Sequence, residues 1–306
     1  MKISQDKSAI VIRIISLIII IGLVITIILP LINIFALAFN SGVDAQKGGI
    51  TFFPRKFSLD NFKEIFKQGT LLNASFISVA KTVIGTILSV ILTAMAAYVL
   101  TIKTLPFRRI ISFFLVFTML FSAGVVPLYI LLNQLHLTDT FWVYILPSLY
   151  SVYNILIMRT FFNQLPTSVI EAARVDGCND FQIFWKIVLP MSKPVVASIT
   201  LFNAVSQWND WFTGAFFVRN PNLKPLATVL QDMLTKQAAI AEALKQKSGS
   251  YAMLDKVTIT GDSMQMAMIV LLTIPVLFLF PFVQKHFVKG INICLLYTSD
   301  AADDSL

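Results

Sequence analysis

Glu171-Ala172-Ala173-Arg174-Val175-Asp176-Gly177, followed by Ile187-Val188-Leu189-Pro190, is a polar, amphipathic stretch set between two long apolar runs. On either side of it, charge thins out. The chain is 57% apolar with a mean hydropathy of +0.78, and 13% of its residues are charged. A soluble domain carries about twice that charged share. The charges are segregated, leaving several stretches near the ~20 residues a helix needs to cross the hydrocarbon core. The fold class that follows is all-α, a polytopic membrane protein. Six transmembrane helices are expected, at 12–35, 74–100, 110–132, 141–158, 195–217 and 264–283. Only Asn133–Thr140, with His136 and Asp139, separates the third from the fourth. A re-entrant hairpin is the rival reading there.

Orientation follows from Lys and Arg in short loops. Lys2, Lys7 and Arg13 precede or begin the first span, Lys103, Arg108 and Arg109 follow the second, and Lys285 and Lys289 follow the last. In a six-span chain these regions share one side, which makes that side, and both termini, cytoplasmic. The 171–190 stretch falls on the same side. Asn133–Thr140 has no Lys or Arg, as an outside loop should. The longer outside segments near 40–70 and 219–262 mix both signs. Within the latter, Gln237–Gln246 reads as a short outer helix or a solvated loop.

Basic residues at membrane ends account for the net charge of +8. No basic helix or interleaved aromatic-basic run points to nucleic acid. Ala36-Leu37-Ala38 mimics a signal-peptidase site, but the apolar run before it exceeds an ordinary signal-peptide core, so a retained first helix is expected. Two cysteines make no disulfide framework.

The polar insert predicts two short helices around a glycine turn. Pro166 lies just ahead of the first, and Ser168 stands three residues before Glu171. That spacing predicts a reciprocal capping box. Gly177 is placed to end the first helix in a left-handed conformation. Asn179 or Asp180 then caps a second helix through Val188, which Pro190 stops. Ala172 and Ala173 would let the helix backbone sit deep in a groove on a partner. Val169, Ile170, Phe181, Ile183, Phe184 and Trp185 supply apolar surface, while Glu171 and Asp176 offer charge to basic groups. The competing reading is an amphipathic helix lying on the membrane surface.

The combination of Glu171-Ala172-Ala173, Asp176-Gly177 and Leu189-Pro190 before a penultimate span resembles the EAA loop of ATP-binding-cassette (ABC) importer permeases. These form the binding-protein-dependent, MetI-like family. The resemblance extends over most of residues 10–290. It includes Ala96-Ala97-Tyr98, Gly124-Val125-Val126-Pro127, Phe141-Trp142, Leu146-Pro147, Trp208-Asn209, Pro281-Phe282 and Gln284-Lys285. These look like carbohydrate importer permeases, and within them the branch linked to aldouronates and other complex oligosaccharides. The resemblance implies a type I ABC importer permease fold in a bacterial plasma membrane. It implies a first helix and outer loop over 1–71, and a permease core over 72–290 with a cytoplasmic coupling loop at 159–193. It further implies a second homologous permease, two ATPase subunits and an extracytoplasmic solute-binding lipoprotein. ATP and Mg would be held by the ATPase subunits, with no cofactor on this chain. Ser168, Glu171, Ala172, Ala173, Asp176, Gly177, Leu189 and Pro190 would form the ATPase-coupling site.

Asp210 falls inside the fifth apolar stretch, where a carboxylate should face protein or a watery cavity. Asn209 and Asp210 could bond sugar hydroxyls while Trp208, Trp211 or Phe212 offers an aromatic face. The alternative is an aromatic belt at the outer interface. Lys81, near the outer end of the second span, is expected to snorkel. Gly85, Gly124 and Gly214 are expected to permit close helix approach.

No phosphate-binding G-x-x-x-x-G-K-[S/T] run, H-E-x-x-H or paired-cysteine cluster occurs in the chain. His136 and His286 fall on opposite sides. A convergent catalytic set is missing, so a membrane enzyme is disfavoured. An ion-coupled secondary transporter is the remaining alternative, with Asp210 as its clear acidic candidate. The end of the chain, 294–306, resembles a translated transposase-type sequencing adapter and is expected to be non-native. Without Asp300, Asp303 and Asp304 the net charge rises by three from +8.

Overall fold

The computed structural model of the protein describes residues 7–45, 47–67, 69–121, 123–246 and 263–278. The end of the sixth expected span, Lys285, His286, Lys289 and the tail 294–306 lie outside these residues. Helices dominate, and the one sheet-type pairing among the described residues is the antiparallel bridge between Asn40 and Phe57. The chain divides into two compact units, one built from Met1–Gly69 with Asp232–Ile274 and the other from Thr70–Gln231 with Pro275–Leu306.

In the first unit, α1 (Lys7–Ala38) contains Pro30 and no charged residue in its last turn. Its side chains from Ile10 to Leu31 are exposed almost without a break, as lipid-facing side chains are. Burial begins only near Ala36. The chain then turns through α2 (Gly42–Ala45) toward α3 (Asp60–Lys67). Asn61 closes the end of α1: its amide donates to the Ala38 carbonyl at 3.0 Å and the Asn40 carbonyl at 2.8 Å. Asn40 in turn accepts from the Lys56 N–H at 2.8 Å. Arg55 pairs with Asp44 at 3.2 Å. Phe39 packs between Phe57 and Phe62.

The second unit is organised around α4 (Thr70–Val99). After it come α5 (Arg108–Leu120), α6 (Val125–Gln134), two tight 3-10 turns at Phe141–Tyr144 and Leu146–Ser148, and α7 (Val152–Phe162). The polar insert forms α8 (Thr167–Val175), α9 (Asp180–Ile183) and α10 (Leu189–Met191). Then come α11 (Lys193–Asn209) and α12 (Phe212–Phe217), followed by α13 (Leu226–Gln246), which includes the Gln237–Gln246 segment and belongs to the first unit from Asp232 onward. The last described helix, α14 (Ser263–Phe278), belongs to the first unit as far as Ile274. Helices α11 and α7 pack on α4. Two cores result, one at each end of α4. The first joins Ala94, Ala97 and Tyr98 to Met158, Ile183, Phe184 and Ile199. The second joins Ile77 to Leu132, Tyr144, Ile145 and Phe217.

Two unbroken helical stretches, Ile10–Ala38 and Leu71–Val99, are long and apolar enough to cross a bilayer. They coincide with the first two expected spans. Six unbroken spans are not found: the described residues hold two, or up to five if each bent pair counts as one span. Helices α5 and α6 meet at 114°, and Phe141–Ser148 meets α7 at 47°. The physical causes are local. Gly124 at φ 84° starts α6 in a conformation that glycine favours, and Pro147 sits inside a 3-10 turn. The expected fifth span, 195–217, is likewise split at Asp210–Trp211 between α11 and α12. Such breaks are tolerated at membrane depth when neighbouring groups satisfy the freed backbone.

Two further expectations are corrected. A Cβ on Gly124 would meet nothing within 4 Å, so this glycine serves backbone conformation rather than helix approach. Gly85 and Gly214 do permit close approach, to Gln207 and Thr228 respectively. Lys81 does not snorkel. Its side chain is fully buried, its ammonium donates to the Asp210 carbonyl at 2.8 Å and lies 3.4 Å from the Asp210 carboxylate. It also sits 4.9 Å from the Tyr144 ring centre. An ammonium with an opposite charge within reach has no need to extend to the interface.

Candidate functional site

The 163–193 insert is held from both sides. Helix α8 starts at Thr167, with Pro166 in the cap position and no side-chain cap bond. The Ser168–Glu171 capping box therefore does not form. The helix begins earlier than the spacing suggested, so Ser168 already has helical backbone and its hydroxyl no longer faces the free N–H groups. The capping box lies in the next helix instead. The Asn179 side chain accepts from the Gln182 N–H at 2.8 Å, and the Gln182 side chain accepts from the Asn179 N–H at 3.1 Å. Asn179 was one of the two expected caps. Gln182 stands three residues after Asn179, the spacing that such a box requires.

The turn between the helices behaves as its glycine dictates. Gly177 has φ +83°. Its N–H donates to the Arg174 carbonyl at 3.0 Å, and the Cys178 N–H donates to the Ala173 carbonyl at 2.9 Å. This paired closure satisfies carbonyls that would otherwise be orphaned at the helix end. Arg174 and Asp180 then bridge the turn at 3.1 Å, and Asp180 also accepts from the Tyr98 hydroxyl at 3.3 Å, tying the insert to the end of α4.

Pro190 does not end the second helix. After α9 the backbone widens into a π-type turn over Phe184–Val188, with the Leu189 N–H donating to the Phe184 carbonyl. Helix continues through Pro190 to Met191 and breaks at Ser192, where α11 departs at 84°. A proline ring conflicts with the carbonyl four residues back, here Lys186. That carbonyl lies inside the widened turn, which makes room for the ring.

The two alanines face opposite ways. Ala172 is exposed, whereas Ala173 is buried in the core shared with α4, α7 and α11. The expectation that both enter a partner groove is corrected for Ala173: its small size lets α8 lie against its own chain. Ile183, Phe184 and Val188 bury beside it, each worth about 1.5–3 kcal/mol of transfer free energy. The exposed Arg174–Asp180 pair contributes at most about 1 kcal/mol. Apolar packing, not the ion pair, fixes the insert. On the outer face Glu171, Ala172, Asp176 and Gly177 are exposed, with Val175 at 88% and Phe181 at 65%. Phe181 and Trp185 meet edge to face. Leu189 is half-buried against the core and Pro190 is exposed.

The other candidate cluster does not converge on one point. Trp208 is buried, Asn209 and Trp211 are exposed, and Asp210 is half-buried at the helix break. The Asp210 carboxylate faces Lys81 through one oxygen and accepts from the Thr213 N–H at 3.1 Å through the other. Sequence alone had no signal for this pairing, because Lys81 and Asp210 are far apart in the chain. No group of three or more metal-ligating side chains occurs among the described residues.

A family model described as the binding-protein-dependent transport system inner membrane component matches residues 89–293. The chain is 36% identical over 264 residues to the polygalacturonan/rhamnogalacturonan transport system permease protein YtcP of Bacillus subtilis, covering 86% of this chain and 90% of that protein. It is 35% identical to the protein LplC of the same organism, covering 87% and 88% respectively. Among solved structures, it is similar to a chain of a bacterial ABC transporter involved in the import of the acidic polysaccharide alginate. The TM-score is 0.79 at 29% identity, with 92% of this chain and 98% of that chain covered.

Proposed function

The chain belongs to the family of binding-protein-dependent transport system inner membrane components, and from that premise we propose that it conducts a sugar oligomer across the plasma membrane as the permease subunit of an ATP-driven importer. A relative named for polygalacturonan/rhamnogalacturonan transport, and a structural neighbour involved in the import of alginate, support an oligosaccharide as the cargo. In this reading the chain has the type I importer permease fold, with both termini in the cytoplasm. It pairs with a second permease and receives its cargo from an extracytoplasmic binding protein. ATP and Mg are held by two ATPase subunits that dock on the insert.

The observation that carries the reading is the two-faced insert. Its inner face is buried with the ends of α4, α7 and α11, and its outer face presents Glu171, Ala172, Val175 and Phe181. A force applied to the outer face reaches three helices of the transmembrane unit through close-packed side chains. For ATP to drive transport, the ATPase must favour one permease conformation over another. A rigid handle on the helix ends supplies that differential contact. The ion-coupled alternative loses its principal candidate, because Asp210 is engaged by Lys81 and by the start of α12.

The test replaces Ala172 with Trp in the assembled importer and follows ATP hydrolysis and sugar uptake together. A bulky group on the docking face should lower uptake at least about tenfold, the loss of roughly 1.4 kcal/mol of coupling, with assembly in the membrane retained. Uptake at the unmodified rate would remove the docking assignment.

A further inference from the structure

Around the short helix α3 (Asp60–Lys67), side chains sort by chemistry. At about 100° per residue, Asn61 and Ile65 share one sector, and both are buried. Next round the helix come Phe62, Phe66 and Leu59. Leu59 precedes the helix, but its carbonyl accepts from the Lys63 N–H at 3.0 Å, which puts it in helical register. Lys63 and Lys67 follow, then Asp60 and Glu64, all four exposed. Leu59, Phe62, Lys63, Phe66 and Lys67 line an open groove of about 490 Å³. Outside the buried sector the order is therefore apolar, basic, acidic. The edge of a bilayer runs in the same order, from hydrocarbon through phosphate to water.

The depth of α3 is set by α1. Every residue from Ile10 to Leu31 is exposed. That stretch rises roughly 32 Å at 1.5 Å per residue, close to a hydrocarbon core of about 30 Å. Ala38 lies about 10 Å further along the helix, at the level of the headgroups. Asn61 holds α3 at that level through its bonds to the Ala38 and Asn40 carbonyls. Phe62 packs on Phe39 at 5.0 Å between ring centres, and Phe57 stacks on Phe39 at 5.8 Å. These rings join the apolar sector of α3 to the end of the lipid-facing helix.

The lysines remain able to take a further partner. Lys63 lies 3.5 Å from Asp60 and Lys67 lies 3.6 Å from Glu64, all exposed. Exposed pairs of this kind contribute little, and an ammonium carries three donors. Two lysines and two carboxylates cancel, so net charge does not draw α3 to a membrane. The apolar sector does, and the lysines beside it meet the phosphate layer.

We propose that α3 lies in the lipid interface of the leaflet where α1 ends, with a phospholipid acyl chain along Leu59, Phe62 and Phe66 and its phosphate on Lys63 and Lys67. The helix then fixes the depth at which α1 leaves the bilayer. The proposal rests on α1 crossing the membrane and not on what the chain transports.

The test uses the complete importer in nanodiscs of phosphatidylethanolamine and phosphatidylglycerol, with the natural cysteines replaced by Ser. A nitroxide is attached at Phe66→Cys, at Leu59→Cys or at Glu64→Cys, one per sample. Its relaxation by oxygen and by a water-soluble nickel chelate gives its depth. The labels at 66 and 59 should favour oxygen and lie about 5–10 Å inside the phosphate level. The label at 64 should favour the chelate. Adding Lys63→Glu and Lys67→Glu, which set carboxylates against the phosphates, should move the label at 66 out into water. Chelate access at 66 and 59 without that change would overturn the proposal. So would shielding of both from oxygen and chelate alike, which would mean that a protein subunit covers the face. A label at 66 whose depth ignores the charge reversal would remove the phosphate contact.

Discussion

Lys81 illustrates how a charge is accommodated inside an apolar helix. Its ammonium is wholly buried, and it survives there because α11 breaks at Asp210 and offers both a carboxylate and an unpaired carbonyl. Removing one partner of a buried pair strands the other. Lys81→Met should therefore destabilise the detergent-solubilised protein by about 3 kcal/mol, the lower end for such losses because Asp210 keeps 23% of its side-chain exposure. The double variant Lys81→Met with Asp210→Asn should recover more than half of that loss. Thermal unfolding of the three variants checks this, and additive losses would mean that the two groups do not interact. The alanines give a sharper contrast. Ala173→Phe overfills the core under α8 and should cost about 1–3 kcal/mol of stability. Ala172→Phe should leave the melting temperature unchanged and impair coupling alone. Their neighbouring positions in the chain gave no hint of this division, which is set by the register in which α8 meets Ile183, Phe184 and α4.

The helix pair of the insert mixes features that short-range chemistry dictates with others that it does not. Gly177 was legible because one residue type readily takes a left-handed turn, and Asn179 because its side chain reaches the next free N–H groups. The start of α8 was not legible. Ser168 and Glu171 have the right spacing for a capping box, but helical backbone already begins at Thr167. The continuation through Pro190 was hidden too, since it depends on the widened turn at Phe184–Val188. Gly177→Ala should cost about 1–2 kcal/mol by forcing an L side chain into φ +83°. Asn179→Ala should cost about 1 kcal/mol through loss of the cap. Hydrogen exchange across 174–183 would locate both effects: opening should quicken there and nowhere else in the transmembrane unit. Uniform quickening would mean that the insert does not open as its own unit.

Composition and charge segregation were enough to identify a helical membrane protein, because a bilayer leaves few ways to satisfy a backbone. They were not enough to count unbroken spans. The bends at Gly124 and Pro147 arise locally, from one glycine conformation and one 3-10 turn, whereas the break at Asp210 faces Lys81, which is distant in the chain. The second unit has one core at each end of α4, and the insert is embedded in one of them. Coupling through the insert therefore depends on where its exposed face lies and on what covers it. Val175, 88% exposed, is the natural reporter. A Val175→Cys protein, with its other cysteines replaced by Ser, should react with a membrane-impermeant maleimide only from the cytoplasmic side of oriented vesicles. Adding the ATPase subunits should shield it. Labelling from the outer side, or labelling that the ATPase subunits leave untouched, would contradict the claim that this helix pair is where ATP hydrolysis moves the permease.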